Sequence, residues 1–320
     1  MKKLSVVPSL LALVMCSCTI TTFSSESKEP TSSSNPISSE EQPSSSELAP
    51  ASSSPTQLEG YSLYWSDEFD GNSLNTANWE PQIGDGTNYN VYRWGNNEQQ
   101  YYKSENAIVN NGELHIVAKK ETTISQVDGA DVTYEYTSAR LRTTRKVTTT
   151  YGYIEARIKL PAGTGLWPAF WMLPEDNFEG MWWPTNGEID IMEAKGRILN
   201  KYGATIHTGT SSGQDYYKNK DYTFTTAQGD ITEYHKYGCE WSTNGFAFYI
   251  DDVKFFEVLP KTYQGTNAIY ASSETAPFDR PFHILLNLAV GGNYDSNRVP
   301  DDTFSQAEML VDYVRIYHKD

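Results

Sequence analysis

From about residue 61 onward the chain trades apolar for polar positions every second residue, in one short stretch after another. Over residues 113–119, Leu114, Ile116 and Ala118 fall on one face; over 153–160, Ile154, Ala156, Ile158 and Leu160 do, opposite Glu155, Arg157 and Lys159. Residues 246–250, 253–258, 282–290 and 310–317 repeat the habit, Asp251-Asp252 between two of them reads as a tight hairpin turn, and residues 67–71 read as a strand end entering a turn. Alternation with a repeat of two predicts extended strands, here with one wetter face. No long segment keeps a helical repeat, so the fold class expected is all-β, a sandwich or barrel.

Residues 166–194, LWPAFWMLPEDNFEGMWWPTNGEIDIMEA, depart from plain alternation: they hold four of the eight tryptophans and then Glu188, Asp190 and Glu193. In a strand, Trp167, Ala169 and Trp171 share one face, while Pro168, Phe170 and Met172 share the other. Glu188 and Asp190 likewise point together, away from Ile189 and Ile191, but Glu193 has the wrong parity. One extra residue, a β-bulge near Ile191 or Met192, would return it to the acidic face. Three acids on one face, with no lysine or arginine between them, repel one another unless they share protons or a cation. The apolar residues between them argue against a solvated acidic edge.

Two uses remain open, a hard cation such as calcium held by three carboxylates, or catalysis. The catalysis that fits is glycoside hydrolysis, in which one carboxylate attacks the anomeric carbon and a protonated one donates to the leaving oxygen. Retaining enzymes need the two roughly 5 to 5.5 Å apart, so the site is expected in a concave sheet. Nearby tryptophans suit the flat apolar face of a pyranose. Core packing is the plain alternative for one of the two strand tryptophans, whereas Trp183, in a Pro- and Asn-containing loop, reads as a sugar platform. His207 lies one strand later with parity opposite to Ile206 and reads either as a structural histidine or as a group near the scissile bond.

The net charge of −16 argues against nucleic acid and disfavours polyanionic sugars, leaving a neutral polymer as partner. The chain carries no G-x-S-x-G turn, P-loop or Cys-x-x-Cys pair. Residues 1–18 read as an export signal, too short to span a bilayer, and the small residue before Cys18 resembles a bacterial lipoprotein processing site. Residues 19–57, rich in Ser, Thr, Pro and Glu, read as a flexible tether, and 58–320 as one large β domain. The expected protein is a monomer, outside the cell or at its surface, meeting the membrane only through a lipid anchor. Cys239 is the domain's single cysteine, so no internal disulfide forms.

At residues 187–193, GEIDIME, the sequence resembles glycoside hydrolase family 16 in its laminarinase-like branch, with the spacing E-x-D-x-x-E. WSDEFDG (65–71), WGNNEQQYY (94–102), TSARLRT (137–143), YGYIEARIKLP (151–161), GLWPAFWMLP (165–174), PFDRPFHILLNLAVGGNY (277–294) and VDYVRIY (311–317) extend the likeness over most of 61–317. The resemblance implies a jelly roll of two curved antiparallel sheets with a cleft across the concave face, and a retaining endo-hydrolase of β-1,3-glucans. It implies Glu188 as nucleophile, Glu193 as general acid/base and Asp190 as helper. Trp167, Trp171, Trp183 and His207 match cleft positions, and Asn97 and Arg140 match groups that hold sugar hydroxyls, although Arg142 shares Arg140's strand parity. It implies a structural calcium away from the cleft, on the carbonyls of Glu68 and Gly112 and on Asp312. Mixed-linkage cleavage, glycosyl transfer and glucan binding without turnover stand as alternatives.

Overall fold

The computed structural model describes residues 59–127, 129–176, 182–209, 213–263 and 273–320. The export signal with Cys18, the tether and residues 177–181 of the loop before Pro184 lie outside the described residues. The alternating stretches fold as strands in two sheets. The first runs β16 (Val253–Val258), β15 (Gly245–Ile250), β14 (His235–Ser242), β9 (Gly152–Lys159), β18 (Gln306–Lys319), β5 (Glu113–Val127), β6 (Ala130–Ser138) and β3 (Gln100–Tyr102). Two further strands join it, β1 (Tyr61–Asp67) on β18 and β4 (Ala107–Asn110) on β5. The second runs β13 (Asp215–Thr223), β12 (Lys201–Gly209), β11 (Glu188–Glu193), β10 (Leu166–Pro174), β17 (Phe282–Val290), β7 (Arg140–Arg142) and β2 (Glu80–Pro81), with β8 (Thr148–Thr149) on β17.

The residues that sequence parity assigned to the inside meet between the sheets. Leu114, Ile116, Ile154, Ala156 and Ile158 of the first sheet, and Phe170, Met172, Ile189, Ile206 and Leu286 of the second, belong to one buried cluster. Each large apolar side chain so buried contributes roughly 1.5–3 kcal/mol, and that sum holds the sandwich together against chain entropy. The β15–β16 hairpin turns through Asp251 and Asp252, with φ of 48° and 67°, the left-handed pair that a two-residue turn matching strand twist requires.

The two sheets are antiparallel, with β3 on β6 the one parallel pair among the described strands. One expectation needs correction. The far face of β9 is not wet along its length: Glu155 is only 4% exposed, beneath Tyr317, whose hydroxyl donates to it at 3.4 Å. β9 is central to its sheet, and residues of β18 and β14 close over its polar side. The only described α-helix is the single turn Pro260–Tyr263, and no described helix is long and apolar enough to cross a membrane.

Candidate active site

The second sheet places β11 between β10 and β12. Along β12, Asp190 lies opposite Thr205 and Glu193 opposite Gly203, so three steps on β11 match two on its partner. On the other side Asp190 lies opposite Trp171 and Met192 opposite Phe170, which leaves Ile191 unmatched. This is the bulge expected near Ile191 or Met192. It restores parity: Glu193 joins Glu188 and Asp190 on the outer face, while Ile189, Ile191 and Met192 are buried in the core.

Strand register then fixes what surrounds the acids. Glu188 lies opposite His207 on β12, and His207 opposite Tyr217 on β13. The His207 ring is held between two carboxylates, Nδ1 at 3.0 Å from Asp215 Oδ1 and Nε2 at 3.3 Å from Asp190 Oδ2. Burial alone would favour neutral imidazole, but Asp190, Glu188 and Asp215 outweigh it and push His207 up to about 11. His207 is therefore a cation at neutral pH. Glu188, Asp190 and His207 lie close enough to share a metal ion, yet both ring nitrogens of His207 are already turned to carboxylates, Nε2 to Asp190 and Nδ1 to Asp215.

Both glutamates are pushed up, first by burial and then by the charge of Asp190; Glu193 reaches about 8. Trp167 donates from Nε1 to Glu193 Oε1 at 2.9 Å, and Lys195 also favours the ionised form of Glu193. His207 acts against the rise at Glu188. The arrangement thus supplies in Glu193 a buried acid that keeps its proton to about pH 8, and beside it Glu188, whose rise His207 opposes.

The sequence-predicted cleft residues take distinct places. Trp183 is 53% exposed, with its ring 6.0 Å from that of His207, the position of an open platform. Trp167 is only 9% exposed because Tyr294 stacks on it at 5.0 Å, so it serves Glu193 and is no open platform. Trp171 is half-buried, donates to Asn287 Oδ1 at 2.8 Å and carries the Arg140 guanidinium 4.7 Å from its ring. Arg140 is buried between Trp94 and Trp171, and its charge acts on Glu188. Arg142 turns to Glu80, at 2.5 Å. Asn97 is exposed and donates to Asn297 Oδ1 at 3.0 Å, where residues 96–98 meet the 291–297 loop.

Sequence reading missed a buried polar layer beside the acids. Glu98, 2% exposed, accepts from Gln100 Nε2 at 2.6 Å and from the Tyr102 hydroxyl at 3.0 Å, and Tyr102 accepts from Asn287 at 3.2 Å. Glu98 and Arg140 attract one another, and this layer holds the guanidinium in place. A signal was present: Glu98, Gln100 and Tyr102 stand two apart and share one face. Asp215, in a polar stretch, left none.

Glu68, Gly112 and Asp312 come to one end of the first sheet, because Asp67 pairs with Val314 and Leu114 with Val311. The Glu68 carboxylate is taken up by Arg315, at 2.7 and 2.9 Å, which leaves its carbonyl. Asp312 meets Arg157 through Oδ2 at 2.7 Å, which leaves Oδ1. Gly112, in the β4–β5 turn, has a φ of 80°. Those remaining donors are all oxygen and fit a hard cation.

Residues 63–319 match a family model described as "Beta-porphyranase A-D, GH16 domain". The chain is 37% identical over 264 residues to glucan endo-1,3-beta-glucosidase A1 of Niallia circulans, covering 81% of this chain and 38% of that protein. It is 36% identical over 269 residues to a beta-glucanase of Rhodothermus marinus, covering 80% of this chain and 85% of the relative. The chain thus spans well under half of the first relative's length and most of the second's. The laminarinase catalytic domain from Thermotoga maritima superposes with a TM-score of 0.71 at 36% identity, over 82% of this chain and 99% of that one.

Proposed function

The chain belongs to glycoside hydrolase family 16, and on that premise we propose that it is a retaining, endo-acting hydrolase of neutral β-1,3-glucans. Glu188 attacks the anomeric carbon and forms a glycosyl ester while Glu193 gives its proton to the leaving oxygen. Glu193 then takes a proton from the water that cleaves the ester. Asp190, between them, keeps the proton on Glu193 by its charge, and His207 Nε2 lies 3.3 Å from Asp190 Oδ2. Arg140 faces Glu188 and favours the carboxylate that must attack. The observation that carries this reading is the bulge at Ile191, which turns the acid back onto the nucleophile's face.

Substituting Glu188→Gln is expected to lower reducing-end release from laminarin well beyond ~100-fold, the lower end for a proton-transfer group. A wild-type rate would end the proposal. Product analysis on laminarin, curdlan and barley glucan, with the first anomer followed by NMR, tests linkage and retention together. The matched family model's porphyranase description makes porphyran the second substrate to assay.

A calcium ion on the Glu68 and Gly112 carbonyls and Asp312 belongs to the same proposal, as a structural tie away from the chemistry. Chelation is expected to lower the melting temperature and leave kcat unchanged. Residues 1–18 and 19–57 support a lipid anchor at Cys18 with a tether that holds a monomeric enzyme at the cell surface. Loss of the protein from the membrane fraction on Cys18→Ala tests that placement.

A further inference from the structure

β11 and β17 flank β10, and the loops that follow them, residues 194–200 and 291–298, meet beside Trp167 at the start of β10. Two neighbouring residues of the second loop grip two of the first. The Tyr294 ring has Lys195 Nζ 4.5 Å from its centre, and Asp295 Oδ1 accepts from Arg197 Nε at 2.7 Å. Asp295 is 0% exposed, whereas Arg197 reaches in from the surface. A carboxylate so enclosed is costly to keep ionised without a cation, and Arg197 supplies one from another loop. Arg298 belongs to the same loop as Asp295; it gives its short bond, 3.0 Å, to the Asp295 carbonyl and stands 3.7 Å from the carboxylate.

The near end of the 291–298 loop is pinned by its backbone, Gly291 N–H to the Gly165 carbonyl and Asn293 N–H to the Asn96 carbonyl, each at 2.8 Å. At Gly292, with a φ of 87°, a Cβ would stand 2.9 Å from the Trp167 ring, so the loop lies against the indole. Past Asn293, Asn297 meets Asn97 on the exposed rim, and the buried tie is Asp295 to Arg197.

We infer that Asp295 and Arg197 are positioning residues: their ion pair clasps the two loops so that Tyr294 stays stacked on Trp167 and Trp167 keeps its N–H on Glu193. The inference rests on the hydrolase reading above, in which Glu193 is the proton donor. Contact is continuous from clasp to acid. Tyr294, next to Asp295 in the chain, stacks on Trp167 at 5.0 Å and donates to the Glu193 carbonyl at 3.4 Å, and Trp167 donates to Glu193 Oε1 at 2.9 Å.

Opening the clasp has two consequences. The donor loses its aim at the leaving oxygen, which slows the step that needs its proton. Water also reaches Glu193. Burial is the largest cause that holds its proton to about pH 8, and the Trp167 hydrogen bond, which works the other way, is smaller, so opening lowers the pH at which the proton leaves. Glu188 and Asp190 on β11, Lys195 beyond it, His207 on β12 and, on β13, Asp221 near Tyr294 are the charged groups around the acid. The substitutions at residues 197 and 295 leave all of them in the chain.

The test compares the full chain with Arg197→Met and Asp295→Asn on laminarin and on a nitrophenyl laminaribioside, whose leaving group needs no proton. Each variant is expected to lower kcat on laminarin about tenfold with KM changed less than about twofold, and to spare the nitrophenyl substrate. Each is also expected to move the basic limb of kcat down by about half a pH unit or more. A direct charge effect would act oppositely in the two, since losing a cation raises the limb and losing an anion lowers it; a shift the same way in both reports the clasp. Tyr294→Leu, which breaks the stack without changing charge, replaces Asp295→Asn in this comparison if that variant does not fold. Limbs that move in opposite directions, or a lowered melting temperature with kcat and the limb unchanged, overturn the inference while the hydrolase reading stands. If the wild type releases no reducing ends from any β-1,3-glucan, that reading fails and the inference with it.

Discussion

Two groups of acids, one on each sheet, receive opposite treatment. At the end of the first sheet, Glu68 meets the Arg315 guanidinium at 2.7 Å and Asp312 meets Arg157 at 2.7 Å. Arg315 shows the strength of that match: burial lowers it, yet hydrogen bonds and charge from Glu68 raise it above its ordinary value. On the second sheet, Glu188, Asp190 and Glu193 are buried too, but among the described residues no arginine or lysine forms an ion pair with them; the His207 ring and the Trp167 indole N–H meet them instead. There the two glutamates rise toward the protonated form. Acids matched to arginine hold structure; acids crowded together with too little positive charge hold protons, which is what acid catalysis needs.

The comparison breaks most visibly at Glu193. Replacing it with alanine is expected to slow laminarin cleavage by ~10²–10⁴-fold and to slow a nitrophenyl glycoside, whose leaving group needs no proton, far less. Equal losses on both substrates would remove its role as acid. Next in size is Arg315→Leu, which leaves Glu68 without its partner at a site where the arginine is almost wholly enclosed. A melting temperature lowered by several degrees is expected, with kcat on laminarin unchanged.

The pH dependence sharpens the contrast. Activity requires ionised Glu188 and protonated Glu193, so it should fall on the acid side above the usual carboxylate range and on the basic side through about pH 8. For stability the sign follows from a folded value raised above the unfolded one. Glu193 contributes fully below its ordinary 4.5, and that contribution is lost as pH climbs to about 8. Glu193→Gln should therefore gain melting temperature over the wild type at pH 8 and gain little at pH 4. The smallest effect expected is at the platform: Trp183→Ala, on an exposed ring, should raise KM for laminarin by a few-fold, about 1 kcal/mol, with no change in melting temperature.

The hydrophobic alternation by itself determined the all-β class, the inward faces of β5, β9 and β10, the Asp251-Asp252 turn and, from the count between Glu188 and Glu193, the bulge. These are local properties: which way a side chain points depends on its own strand's repeat of two. Tertiary structure alone decided that His207 lies between Asp190 and Asp215, that Arg140 packs between Trp94 and Trp171 while Arg142 pairs with Glu80, and that Tyr294 covers Trp167. Charge state and access depend on neighbours carried by other strands and loops, brought within a few ångströms by strand order, and no repeat within a strand encodes that order.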